Sequence, residues 1–264
     1  MTPFDILIPR RFPIAAALAA AAVLSAGTFA RADEPKKSEE KKADAKGALS
    51  TTPAPKYEKD GKTPQKGFIA KHESFLEIAK KGDVGVVFLG DSITQGWGGA
   101  GKEVWHKEYE PLKAANFGIG GDRTEHVLWR IANGELDGIK PKALVLMIGT
   151  NNSGRDSAED IAAGVTAIVK AVREKLPETK VLLLAIFPHG EKPNPQREKI
   201  AKANEIIAKL DDGKHVKYLD IGPKFLGEGG VLSKDIMPDF LHLSPKGYAI
   251  WADAIGPTLK ELMN

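Results

Sequence analysis

The sequence predicts an α/β fold, a doubly wound parallel five-stranded sheet with helices on both faces. Three observations carry that expectation. Apolar runs recur at residues 84–89, 114–117, 143–148, 181–187 and 216–221. Helical patterns lie between or beside them at 68–80, 124–131, 158–176, 196–210 and 245–262. Most of the short runs lack polar alternation, as expected of strands covered on both faces, and strands alternating with helices argue for a parallel sheet.

The elements follow in order along the chain. Arg10 and Arg11 precede an Ala-rich apolar run over 12–24, and Ala30-Arg31-Ala32 supplies a small-x-small cleavage pattern. Residues 1–32 are therefore expected to be a signal peptide cleaved near Ala32, giving a secreted or periplasmic protein with no stable membrane insertion after cleavage. The apolar run is too short and too rich in alanine to span a bilayer comfortably. Residues 33–66 are mostly Lys, Glu, Pro and Ala with almost no large apolar side chain, and are expected to form a disordered charged linker, because they bury too little surface to offset the entropy of ordering. One domain is then expected over 67–264, about 200 residues, enough for a single packed core. Within it Pro195 and Pro245 fall where a first helical turn tolerates a missing N–H, and Gly213 closes the fourth helix after Asp211-Asp212.

Charge and cysteine content narrow the function classes. Residues 1–32 carry Arg10, Arg11, Arg31 and Asp5, so without them the formal charge drops from +3 to +1, and nucleic-acid binding has no electrostatic support. Absence of cysteine removes disulfides, thiolate catalysis and cysteine-ligated zinc together. No His/Asp/Glu cluster shows metal-ligand spacing.

Chemistry-bearing residues collect just past the strand ends, where open parallel sheets bind ligands. Gly90-Asp91-Ser92 follows the first run, Asn116-Phe117-Gly118-Ile119-Gly120-Gly121-Asp122 spans the second, Gly149-Thr150-Asn151-Asn152 follows the third, and Asp239-Phe240-Leu241-His242 comes after the fifth. Each has a bland reading. Asp and Ser are good helix caps, the glycines could serve a tight turn, and Asn151 could be an ordinary loop residue. Two partial motifs compete. Gly96-Trp97-Gly98-Gly99-Ala100-Gly101-Lys102 has the spacing of a phosphate-binding loop, but Glu103 stands where Ser or Thr is required. Gly118-x-Gly120 hints at a dinucleotide fingerprint, with Arg123 in the place of the third glycine.

Taken together, the four blocks resemble the SGNH, or GDSL-type, hydrolase superfamily. Within it, His126-Val127-Leu128-Trp129-Arg130 and Pro193-Asn194-Pro195-Gln196-Arg197-Glu198-Lys199 are similar to the catalytic subunits of platelet-activating-factor acetylhydrolase. The resemblance covers about residues 84–250 and implies a flavodoxin-like sheet order and a serine esterase. It departs from the usual family pattern at Ile93, where leucine is customary. On this basis Ser92 is expected to be the nucleophile, His242 the general base and Asp239 the residue that orients it. Ser92, Gly121 and Asn151 are expected to donate to the oxyanion. Of the other histidines, His189 rivals His242 by position but has no acid three residues before it. Arg123 is either a surface residue or a substrate contact, and Trp97 and Trp105 either line an acyl channel or belong to the core.

The expected activity is hydrolysis of carboxylic esters through an acyl-enzyme, with no cofactor and no metal, and the resemblance to acetylhydrolases implies a short, acetyl-type acyl group. The substrate is expected to be a small-molecule or glycan ester. A long-chain lysophospholipase or thioesterase and a non-catalytic carbohydrate-binding module on the same fold are the alternatives. Homodimer formation stays open. The intracellular members of the family lack this leader and linker, so their phospholipid substrate is not carried over to this chain.

Overall fold

The computed structural model describes residues 49–264. The expected signal peptide and residues 33–48 of the expected linker lie outside the described residues. Helix α1 (Lys66–Lys81) buries Phe68, His72, Phe75 and Ala79, the stripe of one helical face, and ends at Gly82 with φ 74°. Strand β1 (Val86–Gly90) runs straight into a one-turn helix α2 (Ser92–Gln95), then α3 (Lys102–Glu108). The succession continues with β2 (Ala114–Gly118), α4 (Thr124–Ala132), β3 (Ala143–Met147), α5 (Ala158–Lys175), β4 (Lys180–Leu184), α6 (Pro195–Ile207), β5 (Val216–Leu219) and α7 (Pro245–Met263).

The five strands form one parallel sheet in the order β2-β1-β3-β4-β5. Register brings the ends of β1, β2 and β3 level, with Gly90 opposite Gly118 on one side and Met147 on the other. Sequential strands lie to either side of β1, so the chain reverses direction across the sheet at β1, and a crevice opens above the carboxyl ends there.

Alternate strand residues feed two cores. Val87, Leu89, Leu144, Leu146, Val181 and Leu183 pack beneath α1, α4, α5 and α6. Val86, Phe88, Val145, Met147, Leu182 and Leu184 face the opposite layer, where α7 and the segment around Trp97 and Tyr109 cover them. Both faces are apolar and buried, which is why the strands read as unbroken hydrophobic runs.

Residues 49–65 depart from the expected disordered linker. Ser50 is buried, donating to Asp156 at 2.8 Å while its carbonyl accepts from Thr124 Oγ1 at 2.9 Å. Ala54 N donates to the Glu125 carbonyl at 3.1 Å, and an antiparallel bridge joins Tyr57 to Pro64. This strap is held by specific polar anchors rather than by apolar area, so its composition alone reads as unstructured.

Candidate active site

Ser92 stands at the exit of β1 as the first residue of α2, with its turn braced from two directions. Asp91 caps the helix by accepting the Ile93 N–H at 2.9 Å, and Tyr248 of α7 donates its hydroxyl to the Ile93 carbonyl at 2.6 Å. Burial pushes the Asp91 carboxyl up to about 7, with the Ile93 amide opposing and the nearby Asp122 reinforcing the rise. Gly118 lets β2 approach this turn, since a Cβ there would fall 2.2 Å from Gln95 N. Glycine spacing after the serine has a similar origin: a Cβ on Gly101 would meet Trp97 at 2.7 Å and Tyr248 at 2.8 Å, so the partial phosphate-loop pattern reflects close packing.

His242 and Asp239 come from the loop that enters α7. Asp239 Oδ1 accepts the N–H groups of Leu241 and His242 at 3.0 and 2.7 Å, closing a turn in which Phe240 takes a left-handed φ of 58°. The second carboxylate oxygen lies 2.6 Å from His242 Nδ1, and His242 Nε2 lies 2.9 Å from Ser92 Oγ. Partial burial alone would raise Asp239, but the bonds from the His242 ring and from the His242 and Leu241 amides hold it below the usual carboxylate range. An ionised Asp239 accepts Nδ1–H, which leaves Nε2 free to take the serine proton.

Donors cluster beside Ser92. Gly121 occupies a turn closed by Asp122 N to the Ile119 carbonyl at 3.1 Å, with φ 73° that favours glycine. Among the described residues the N–H groups of Ser92 and Gly121 take no acceptor. Asn151, in the turn after β3, places its side-chain nitrogen 2.8 Å from the Asp122 carbonyl and 3.4 Å from Asp91 Oδ2. Arg123 is partly exposed next to them, donating Nε to the Asn151 carbonyl at 3.1 Å, and lines an open groove of about 580 Å³ with Lys56, Tyr57, Gly120 and Gly121.

Trp97 is not available as a substrate contact. It is fully buried and packs against Phe88, Trp105, Tyr109, Tyr248 and Trp251 in the second core. His189, the positional rival of His242, uses its backbone carbonyl to accept from Arg197 and Asn194, and its ring Nε2 is buried with no partner among the described residues.

Beneath the site runs an ionic chain that sequence reasoning missed. Arg130, fully buried, contacts Asp122 Oδ2 through Nε at 3.0 Å and Nη2 at 2.9 Å, pairs with Glu135, and donates to the carbonyl of Gly90. Lys56 of the strap reaches Asp122 Oδ1 from the other side at 2.8 Å. Burial pushes the Asp122 carboxyl up, and the Arg130 and Lys56 charges oppose that rise. The available signal was helical phase: Arg130 falls three residues after Val127 and one before Ile131, on the buried face of α4. His126 belongs to the same neighbourhood and is pushed down to about 3 by burial and then by the surrounding cations, so its neutral Nδ1 accepts the Arg123 N–H at 3.0 Å.

Comparison with known proteins adds family and relatives. The pattern of the GDSL-like Lipase/Acylhydrolase family matches residues 88–250. The alpha1 subunit of platelet-activating factor acetylhydrolase IB from Homo sapiens is 40% identical over 217 residues, covering 82% of this chain and 90% of the relative. The alpha2 subunit from Rattus norvegicus is 43% identical over 183 residues, covering 69% and 79%. Among solved structures, a GDSL-like lipase from Bacteroides thetaiotaomicron superposes with a TM-score of 0.60 at 19% identity, over 73% of this chain and 98% of its own. The acetylxylan esterase Axe2 from Geobacillus stearothermophilus gives 0.51 at 18%, over 68% and 96%, and at such identities the likeness is one of fold.

The relatives overturn the expected secreted or periplasmic location, since at 40–43% identity they are acetylhydrolase IB subunits, the intracellular branch of the family. The N-terminal run behind that expectation lies outside the described residues. With its parallel sheet, its Ser-His-Asp relay and a family match over 88–250, the chain belongs to the GDSL-like lipase/acylhydrolase family and is a carboxylic ester hydrolase.

Proposed function

We propose that the protein hydrolyses short-chain, acetyl-type esters through an acyl-enzyme on Ser92. The unbroken relay from Asp239 Oδ2 to His242 Nδ1 at 2.6 Å and from His242 Nε2 to Ser92 Oγ at 2.9 Å carries this reading. Ser92 Oγ attacks the ester carbonyl carbon while its proton passes to His242 Nε2. Asp239 holds the ring in the Nδ1–H tautomer and stabilises the imidazolium that forms. Negative charge moves onto the carbonyl oxygen, which the N–H groups of Ser92 and Gly121 and the side-chain amide of Asn151 stabilise. The carbon–alkoxy bond then breaks, the leaving oxygen takes the proton from Nε2, and a water molecule attacks the acyl-serine by the same proton route to release the acid.

Preference for a short acyl group is supported by the acetylhydrolase names of relatives at 40% identity or more. The test is acetate release from nitrophenyl acetate by wild type and Ser92→Ala, with a matched series of longer acyl chains. Loss of turnover in Ser92→Ala and falling rates with chain length are expected. Undiminished release by that variant overturns the assignment of Ser92, and rates that climb with chain length overturn the short-acyl preference.

A further inference from the structure

We infer that Lys56 is a positioning residue for the ester hydrolysis: a cation on the N-terminal strap, outside the stretch matched by the family pattern, sets the direction of the Gly121 N–H. This rests on the oxyanion role given to Gly121 above. Lys56 Nζ donates to the Gly120 carbonyl and also sits 2.8 Å from Asp122 Oδ1, so it holds the turn on both sides of Gly121.

The carbonyl of Gly120 and the N–H of Gly121 belong to the same peptide unit. That unit is planar and trans, so its C=O and N–H point in opposite directions, and a grip on the oxygen fixes where the hydrogen aims. Glycine flanks this peptide on both sides, and Gly121 sits at φ 73°, so few side-chain clashes resist rotation of the unit. Two further bonds hold the surrounding turn, Asp122 N to the Ile119 carbonyl at 3.1 Å and Gly120 N to Gln95 Oε1 at 2.5 Å, and neither engages the carbonyl or the N–H of this central peptide, whose plane they leave free to turn. A donor on the Gly120 oxygen supplies the missing restraint.

The strap in turn confines Lys56. Its own carbonyl accepts from Gln65 N at 2.8 Å, Ala54 two residues earlier is hydrogen-bonded to Glu125, and the ammonium lies 5.7 Å from the centre of the Phe68 ring. The lysine side chain is only 11% exposed, which limits the competition from water for both contacts. The ammonium is thus shared between the Asp122 carboxylate and the Gly120 carbonyl, the two groups on either side of Gly121.

The experiment compares wild type, Lys56→Met, Lys56→Gln, Lys56→Arg, Glu58→Gln and Ser92→Ala on nitrophenyl acetate, with thermal unfolding of each. Misaimed oxyanion donors are costly, so Lys56→Met is expected to lose about 10- to 100-fold in kcat with KM within about threefold of wild type. Lys56→Arg, which keeps a charged donor, is expected to recover most of that loss, and Lys56→Gln, which keeps a neutral one, to fall between. Glu58→Gln changes the same strap without touching the turn and is expected to match wild type. Should Lys56→Met be too unstable to assay, the ordering of the Gln and Arg variants decides. A wild-type kcat in folded Lys56→Met, or a kcat in both donor-bearing variants that tracks only their thermal stability, overturns the inference alone. A wild type without Ser92-dependent turnover overturns the esterase reading and this inference with it.

Discussion

Asn151 donates its side-chain amide to the backbone carbonyl of Asp122 at 2.8 Å, tying the turn after β3 to the turn that presents Gly121. The two remote donors proposed for the oxyanion, Gly121 and Asn151, are therefore linked through one residue, Asp122. The other reach of the same nitrogen, 3.4 Å to Asp91 Oδ2, is too long to be a strong bond, so it yields readily to a substrate oxygen gaining negative charge. An interaction that strengthens only as the charge develops acts on kcat. Asn151→Ala is expected to lower kcat about 100- to 1000-fold with a much smaller change in KM, measured by steady-state kinetics. A loss confined to KM would place Asn151 in substrate binding instead.

Asp239 uses both carboxylate oxygens, one for the turn and one for the imidazole. Asp239→Asn can keep the turn through its carbonyl oxygen but offers an NH₂ group where the ring presents Nδ1. That favours the wrong tautomer, with the hydrogen on Nε2 facing Ser92. The expected loss in kcat is about 10⁴-fold at neutral pH with the fold retained, as judged by circular dichroism and kinetics together. An active Asp239→Asn enzyme would show that another group orients His242.

Sheet and helices were legible because both sheet faces are covered, which turns each strand into an apolar run, and because Ser92, Gly121, Asn151 and His242 follow strand ends. Three parts were not legible, each for a physical reason. The strap over 49–65 is held by Ser50, Ala54 and Lys56 through individual polar contacts, which composition does not register. Trp97 lies five residues after the serine, yet the one-turn helix and the following 3-10 turn rotate it into the aromatic core. Arg130 shares the helical phase of the buried residues of α4, but its partners Asp122 and Glu135 come from two other segments, and that meeting is visible only in the folded chain.

Arg130 is the joint of that buried chain, and its loss strands two carboxylates. Asp122 and Glu135 are both fully buried, and without the guanidinium Lys56 at 2.8 Å and His126 at 3.9 Å remain near the first and His72, at 3.3 Å, near the second. Arg130→Met fills similar volume without charge. Removing one partner of a buried pair costs about 3–5 kcal/mol, and the remaining partners put the expectation at the lower end, read as a reduced urea midpoint with little change in m-value. Simultaneous Asp122→Asn should recover part of that loss, because it removes one stranded charge; additive losses would mean that the two side chains do not interact.

Asp91, directly before the nucleophile, gives the stability a pH dependence of known sign. Its carboxyl is raised by burial from 3.8 to about 7 in the folded chain, so between those values the folded state holds a proton that the unfolded state has released. Stability then falls as pH rises through that window, because the slope follows the protons bound by the unfolded state minus those bound by the folded state. Below the window the contribution is fully present, and above about 7 it is lost. Asp91→Asn stays neutral throughout and keeps an oxygen for the Ile93 N–H, so it lacks this component. The stability difference, wild type minus variant, is expected to decline steadily from about pH 4 to about pH 7 and then level off, measured by urea unfolding at each pH. Asp122, shifted in the same direction, contributes to both proteins and largely cancels in that difference. A difference that stayed flat across the window would mean that Asp91 is ionised throughout it in the folded chain as in the unfolded one, held so by the Ile93 amide and by the charges of His242 and Lys56.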